Sequence, residues 1–320
     1  MNNKTLPPYL NTSIPLVLVT GANGMLGQDL CPILEDEGYE VIETDIHNLD
    51  ITDEKQVFDF LSKEKPNFVV HCAAYTNVDK AEEDIETARL INAKGTENIA
   101  KACAEIDATM VYISTDYVFN GQGIRPYIPT DKPEPLNNYG LTKFEGEEAV
   151  KKYCKKYFIA RTSWLYGIHG KNFVETMISL ADKPELKVVD DQVGCPTWTV
   201  ELANGIVKLL ETEDYGIYHV CGSGSTSWYG FAREIFNNLT SPLEGTTDEQ
   251  RADAKRRPVY GESVKREGGR RPGEGLKPCT TDEFPRPAKR PAYSIMDNNK
   301  ICKNWKVALK SYLELRGIDA

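Results

Sequence analysis

The chain has 320 residues, with 38 lysines and arginines against 48 aspartates and glutamates, for a formal net charge of −10 at pH 7. Hydrophobic residues make up 40% and charged residues 27%, a balance that excludes wholesale disorder and allows one large core or two ordinary ones. No run of about 18 apolar residues is present, which excludes a membrane-spanning helix, and the acidic balance argues against non-specific binding to nucleic acid.

Residues 15–20 (Pro-Leu-Val-Leu-Val-Thr) are a short apolar run that predicts a strand, and it ends in a glycine cluster. Leu26, Leu30, Ile33 and Leu34 recur at helical spacing and predict a helix ending at Gly38. A second strand is expected over residues 39–44. Asp53 is a good N-cap for a helix through Leu61, which Pro66 stops. Residues 68–71 read as a strand, residues 82–105 as one long helix, and residues 109–114 as another strand. Further strands are expected at 157–160 and 216–220. Strands and helices alternate, and the strands are continuously apolar. This predicts βαβ units and a parallel sheet covered on both faces, a doubly wound, Rossmann-like α/β fold. The less regular second half predicts a smaller C-terminal α/β unit. Ligands in such sheets sit at the carboxyl ends of the strands.

Residues 255–277 stand apart. They hold eight basic residues against three acidic ones, five glycines and two prolines, with almost nothing apolar. Such a stretch cannot bury enough surface to offset its ordering entropy, so a flexible basic loop is expected. Eight cysteines, at 31, 72, 103, 154, 195, 221, 279 and 302, form no Cys-x-x-Cys pair. They read as reduced, mostly buried thiols rather than a disulfide framework or zinc site. The first 13 residues are polar and lack the apolar stretch of a secretory signal. A cytoplasmic protein is expected. Histidines 47, 71, 169 and 219 show no metal-ligand spacing.

Thr20-Gly21-Ala-Asn23-Gly24-Met25-Leu26-Gly27 follows the first strand and opens the first helix. Gly21 permits a tight turn, Gly24 lets backbone approach a pyrophosphate, and Gly27 lets helix pack on strand. The phosphates then sit at the positive helix N-terminus. In this context the loop predicts dinucleotide binding. Asp45, 18 residues beyond Gly27, can accept hydrogen bonds from an adenosine ribose and would repel a 2′-phosphate, which favours NADH over NADPH. Asp50 and Ile51 could cover the adenine. A dinucleotide-binding unit is expected over residues 14–168 plus about 186–222, and a substrate-binding unit over about 169–185 plus 223–320.

Tyr139-Gly-Leu-Thr-Lys143 places a phenol and an ammonium four residues apart. Pro135 and the asparagines at 137 and 138 suggest a helix start, and on a helix positions i and i+4 share a face. The ammonium would stabilise phenolate and lower a pKa that is about 10 in isolation. Such a tyrosine can give a proton to a carbonyl that accepts hydride. Ser114-Thr115-Asp116 ends a strand at the same rim, and Thr115 can hydrogen-bond the reacting oxygen and the tyrosine.

These three motifs, in this order and spacing, make the chain resemble the extended short-chain dehydrogenase/reductases, and within them the dTDP-4-dehydrorhamnose reductases. Further matching stretches include His71-Cys-Ala-Ala-Tyr-Thr-Asn-Val-Asp-Lys-Ala-Glu82, Ile91-Asn-Ala-Lys-Gly-Thr96, Ile113-Ser-Thr-Asp-Tyr-Val-Phe119, Arg161-Thr-Ser-Trp-Leu-Tyr-Gly167 and Val189-Asp-Asp-Gln-Val-Gly-Cys-Pro-Thr197. The resemblance covers residues 16 to 315, interrupted by the basic segment. It implies hydride reduction of the C4 ketone of a dTDP-4-dehydro-6-deoxy sugar by NADPH or NADH. Tyr139, Lys143 and Thr115 would be catalytic. Ala73, Ala74, Tyr75 and Thr76 would line the cofactor cleft. Val78, Asp116, Tyr117 and Trp164 would contact the sugar nucleotide, with Lys289 and Arg290 as candidates for its diphosphate. Related 4,6-dehydratases carry Thr-Asp-Glu where this chain has Thr115-Asp116-Tyr117, so elimination lacks its base. Two rival readings are a non-catalytic regulatory subunit, like that of methionine adenosyltransferase, and a sugar-nucleotide epimerase. Some relatives bind magnesium near a homodimer contact. Glu201 lies in the corresponding helix, and a lone glutamate does not make a metal site.

Overall fold

The structure is a computed structural model describing residues 14–240, 271–298 and 300–317. Residues 255–270 of the basic segment lie outside the described residues. In chain order the strands are β1 (Leu16–Thr20), β2 (Glu40–Thr44), β3 (Phe68–His71), β4 (Thr109–Thr115), β5 (Tyr157–Thr162), β6 (Leu165–Tyr166), β7 (Leu186–Val189), β8 (Val193–Gly194), β9 (Thr197–Trp198), β10 (Gly216–His219), β11 (Thr226–Ser227) and β12 (Leu276–Cys279). The helices are α1 (Met25–Asp36), α2 (Glu54–Glu64), α3 (Lys80–Glu83), α4 (Ile85–Arg89), α5 (Thr96–Glu105), α6 (Asn138–Tyr153), α7 (Phe173–Ser179), α8 (Thr199–Leu210), α9 (Trp228–Thr240) and a C-terminal helix, Trp305–Leu315.

Six strands form one sheet in the order β10-β5-β4-β3-β1-β2, every neighbouring pair parallel. Strand side chains alternate between faces. Val17, Val19, Val70, Val111 and Phe158 pack with α1 and α8 on one face. Leu18, Val69, Met110, Tyr112 and Ile159 pack with α2, α5 and α6 on the other. Both faces are covered, which is why the strands read as continuous apolar runs rather than alternating ones. The chain runs from β1 outward to β2 and returns to β3 on the other side of β1. The order therefore reverses at β1 and β3, and a crevice opens above their carboxyl ends.

Local signals set several boundaries. Asp53 accepts the Gln56 N–H at 3.0 Å, capping α2, and Lys65 turns left-handed with φ 47° just before Pro66. Gly38, with φ +92°, follows α1.

Three expectations need correction. The helix expected over 82–105 is broken into α3, α4, a π turn at Leu90–Gly95, and α5. Asp84 leaves helical geometry and its carboxylate takes the Thr87 N–H at 3.0 Å. The end of the basic segment is also ordered. Leu276 and Lys277 pair with Leu186 and Lys187 of β7, and Gly273 donates its N–H to the Ala181 carbonyl at 3.0 Å. Third, a separate hydrophobic cluster joins Val174, Met177, Phe231, Ile235, Trp305 and Leu309. It also takes in two residues of the 186–222 stretch assigned to the first unit: Val188, because β7 pairs with β12, and Trp198, whose ring meets Tyr312 edge to face at 6.1 Å.

Candidate active site

Gly21 follows β1 with φ +66°, and a Cβ there would lie 2.8 Å from Ala73 Cα. Only glycine meets both conditions. At Gly27 a Cβ would lie 2.5 Å from the Ala22 backbone, so the first turn of α1 sits directly on its own loop. No side chain caps the α1 N-terminus, which leaves its first N–H groups to an anion. This cradle fits a dinucleotide pyrophosphate.

Above the carboxyl ends of the strands lies a cleft of about 580 Å³. It gathers Gly21, Gly24, Met25, Leu26 and Gly27 from the loop; Asp45, Asp50 and Ile51 from beyond β2; and Ala73, Ala74, Thr76 and Val78 from beyond β3. Thr115, Asp116 and Tyr117 follow β4, Tyr139 and Lys143 come from α6, and Trp164 follows β5. Four expected residues lie outside this lining. Asn23 donates its N–H to Asp45 Oδ2 at 3.3 Å, fastening the glycine loop to the β2 loop. Tyr75 is held by Asn92, whose amide accepts the Tyr75 N–H at 2.8 Å and donates to its carbonyl at 3.2 Å. Arg290 makes two 3.0 Å contacts to the Asp79 carboxylate. The Lys289 carbonyl accepts from Asn137 Nδ2 at 2.8 Å.

The lining also includes Thr20, Cys72, Ser114, Thr162 and Ser163, none of them given a role from the sequence. Each ends or follows a central strand, and that position was the available signal. Thr162 Oγ1 is buried without a hydrogen-bond partner among the described residues. His71, given no role from the sequence, is buried at the β1–β3 junction. Its Nδ1 lies 2.7 Å from Thr20 Oγ1 and its Nε2 lies 3.1 Å from Thr96 Oγ1. Burial pushes its pKa down to about 3, with Lys143 adding to the shift, so it is neutral and structural.

Asn137 caps α6 by accepting the Gly140 N–H at 2.8 Å. A Cβ on Gly140 would collide with the Tyr117 carbonyl, so α6 seats on the turn after β4. Tyr139 and Tyr117 meet edge to face, with centroids 5.5 Å apart. The Tyr139 phenol does not behave as its spacing from Lys143 suggested. Burial pushes its pKa up to about 12, against a hydrogen bond from Thr115, and Asp116 adds to the rise. Lys143 Nζ instead sits 4.1 Å from the centre of the Tyr112 ring. Burial drops the Lys143 pKa to about 7, opposed by Glu147 and Cys72. A phenol held protonated can deliver one proton, and an amine in the same cleft that gains and loses its own proton near neutrality can stabilise the anion left behind.

Asp116 is buried, and that burial raises its pKa to about 6 despite hydrogen bonds from Ser294 and Thr115. Beneath the site, Glu147 and Arg161 form a fully buried pair, with contacts of 2.8 and 2.6 Å. Ser114 donates to the same carboxylate at 2.6 Å. Trp164 has φ +49°, a conformation that costs a side-chain residue about 1 kcal/mol or more. Its ring stacks on Trp228 with centroids 3.5 Å apart and planes 5° apart.

Glu201 is engaged by Lys303, through its N–H at 3.1 Å and its Nζ at 3.0 Å. Among the described residues no three acidic, histidine or cysteine side chains cluster as metal ligands. None of the helices among the described residues is long and apolar enough to cross a membrane.

The family model described as RmlD substrate binding domain matches residues 16–315. The spore coat polysaccharide biosynthesis protein SpsK of Bacillus subtilis is 39% identical over 307 residues, covering 94% of this chain and 97% of that protein. A dTDP-4-dehydrorhamnose reductase of Streptomyces griseus is 39% identical over 301 residues, covering 92% and 88%. The crystal structure of dTDP-4-dehydrorhamnose reductase from Bacillus anthracis, in complex with NADP, superposes with a TM-score of 0.81 at 38% identity, covering 95% of this chain and 100% of that one. The chain belongs to the RmlD family, that of the dTDP-4-dehydrorhamnose reductases.

Proposed function

We propose that the protein reduces the C4 ketone of dTDP-4-dehydro-6-deoxy-L-mannose to dTDP-L-rhamnose, with NADPH or NADH as reductant. One observation carries this reading: Tyr139, Lys143 and Thr115 share a cleft with the glycine loop, in a chain 39% identical to a dTDP-4-dehydrorhamnose reductase. A bound nicotinamide dinucleotide supplies the hydride for C4. Backbone N–H groups of the glycine loop hold the diphosphate. Asp45 takes the adenosine ribose, Asp50 and Ile51 cover the adenine, and Ala73, Ala74 and Thr76 flank the cofactor.

Tyr139, kept protonated by burial, gives its proton to the C4 oxygen. Thr115 orients both oxygens. Lys143 holds the nicotinamide ribose and, as the ammonium, offsets the negative charge left on the Tyr139 phenolate. Val78, Asp116, Tyr117 and Trp164 bound the sugar, and Arg290, poised on Asp79, is assigned to the diphosphate. The β7, α7, α9 and C-terminal helix cluster is assigned to the substrate side. Eight free cysteines, seven of them buried, and a net charge of −10 support a cytoplasmic enzyme that does not bind nucleic acid.

The test is nicotinamide absorbance with freshly generated dTDP-4-dehydro-6-deoxy-L-mannose and each cofactor. The expected result is loss of absorbance with equal formation of dTDP-L-rhamnose. The Asp45 carboxylate predicts that NADH serves at least as well as NADPH. Dinucleotide binding without turnover would contradict the reading and point to a regulatory subunit.

A further inference from the structure

We infer that Trp228 is a positioning residue for the sugar-binding wall, holding Trp164 in the conformation that faces the cleft. The inference rests on the proposed reductase reading, which places the sugar against Trp164. Nothing in the sequence pairs these two tryptophans, which are far apart in the chain, and Trp228 does not line the cleft itself.

The placement follows from backbone pairing. β11 pairs antiparallel with β8, Thr226 opposite Gly194 and Ser227 opposite Val193. Trp228 comes next in the chain and opens α9. The same pairing puts Gly194 under the Trp164 ring, where a Cβ would lie 2.5 Å from Trp164 Cε2. Trp164 is thus confined on two sides, by the Gly194 backbone and by the Trp228 face at 3.5 Å. Trp228 is anchored in turn against Phe173, with centroids 4.6 Å apart, and Phe173 stacks on Phe231 at 5.5 Å. An aromatic ladder therefore runs from the cleft into the C-terminal cluster.

Trp164 needs such support, since its φ of +49° is unfavourable for any residue with a Cβ. Loss of the Trp228 face removes the contact that selects this conformation. Trp164 then samples others, and the sugar loses a preformed wall. The dinucleotide cradle is built by β1, α1 and the β2 loop, and Trp228 is not among the residues that line the cleft, so cofactor affinity is expected to be unchanged.

The experiment compares full-length wild type with Trp228→Ala, Trp228→Leu and Trp228→Phe. Binding of dTDP-L-rhamnose and of NADPH is measured separately by calorimetry, with KM and kcat for the keto sugar alongside. The exciton couplet that stacked tryptophans give in circular dichroism is recorded without ligands. Wild type should show the couplet, and all three variants should lose it. Trp228→Ala should weaken dTDP-L-rhamnose binding and raise KM by about tenfold, with kcat and the NADPH constant within about twofold. Trp228→Phe should restore most of the affinity, because it presents a flat face. Trp228→Leu, which fills volume without one, should not. Unchanged sugar affinity in Trp228→Ala, equal loss of NADPH binding, or rescue by leucine as good as by phenylalanine would each overturn the proposal. Wild type that binds NADPH but neither binds nor reduces the keto sugar would instead overturn the reductase reading.

Discussion

Asp116 shows how one residue can record the cost of building the site. It lies between Thr115 and Tyr117 at the end of β4, nearly inaccessible to water, and its pKa rises from 3.8 to about 6 because burial disfavours the carboxylate. Between those two pH values the folded chain holds a proton that the unfolded chain has released. Stability therefore falls as pH rises through that window, and the penalty is complete above pH 6. The displacement corresponds to roughly 2–3 kcal/mol. Asp116→Asn should raise the melting temperature at pH 7 by several degrees, change little at pH 3.5, and flatten the dependence between. Parallel melting curves for variant and wild type across pH 4–7 would refute this. The Asp116 position was legible from the strand-end rule, whereas its burial and titration depend on Ser294, from a distant part of the chain. The Tyr139–Lys143 spacing was legible too. Its electrostatics were not, because Lys143 sits over the Tyr112 ring on β4, which no spacing on α6 announces.

At the scale of elements, the site is assembled where β4, β5 and α6 are pinned together. Ser114 and Arg161 sit opposite one another on β4 and β5, and Glu147, one helical turn beyond Lys143, bonds both. Glu147 is fully buried and Arg161 is 1% exposed. Removing one charge leaves the other desolvated and uncompensated, which costs about 3–5 kcal/mol. Glu147→Gln is predicted to lower unfolding free energy in urea by that amount, and Glu147→Gln with Arg161→Met to recover at least half of it. A single variant within about 1 kcal/mol of wild type would show that the pair does not pin these elements.

Sequence patterning found all six strands of the central sheet, the cap at Asp53 and a helix start at Asn137 and Asn138, because those signals are local. It missed the break at Asp84 and the π turn that follows. Helical spacing there is intact, and the distortion serves tertiary contacts instead. Asn92, in that turn, is buried and bonds Tyr75 and Thr142. The basic segment misled at its end for a similar reason. Its composition is that of a loop, but Leu276 joins the C-terminal cluster and carries β12 with it.

The whole molecule is a parallel sheet whose order reverses at β1 and β3, with a second hydrophobic cluster beside the resulting crevice. The sheet supplies the glycine loop and the strand-end residues, and the second cluster supplies the base of the Trp164–Trp228 ladder. The account requires that this arrangement serve one proton transfer in concert with hydride transfer. The most direct test is single-turnover reduction of dTDP-4-dehydro-6-deoxy-L-mannose by pre-bound NADPH, comparing wild type with Tyr139→Phe. The phenyl ring keeps the contacts with Tyr117, so the NADPH and dTDP-L-rhamnose affinities should stay within about threefold. The hydride-transfer rate should fall by about 10²–10⁴. A Tyr139→Phe rate within tenfold of wild type, with both ligands bound, would contradict the central claim.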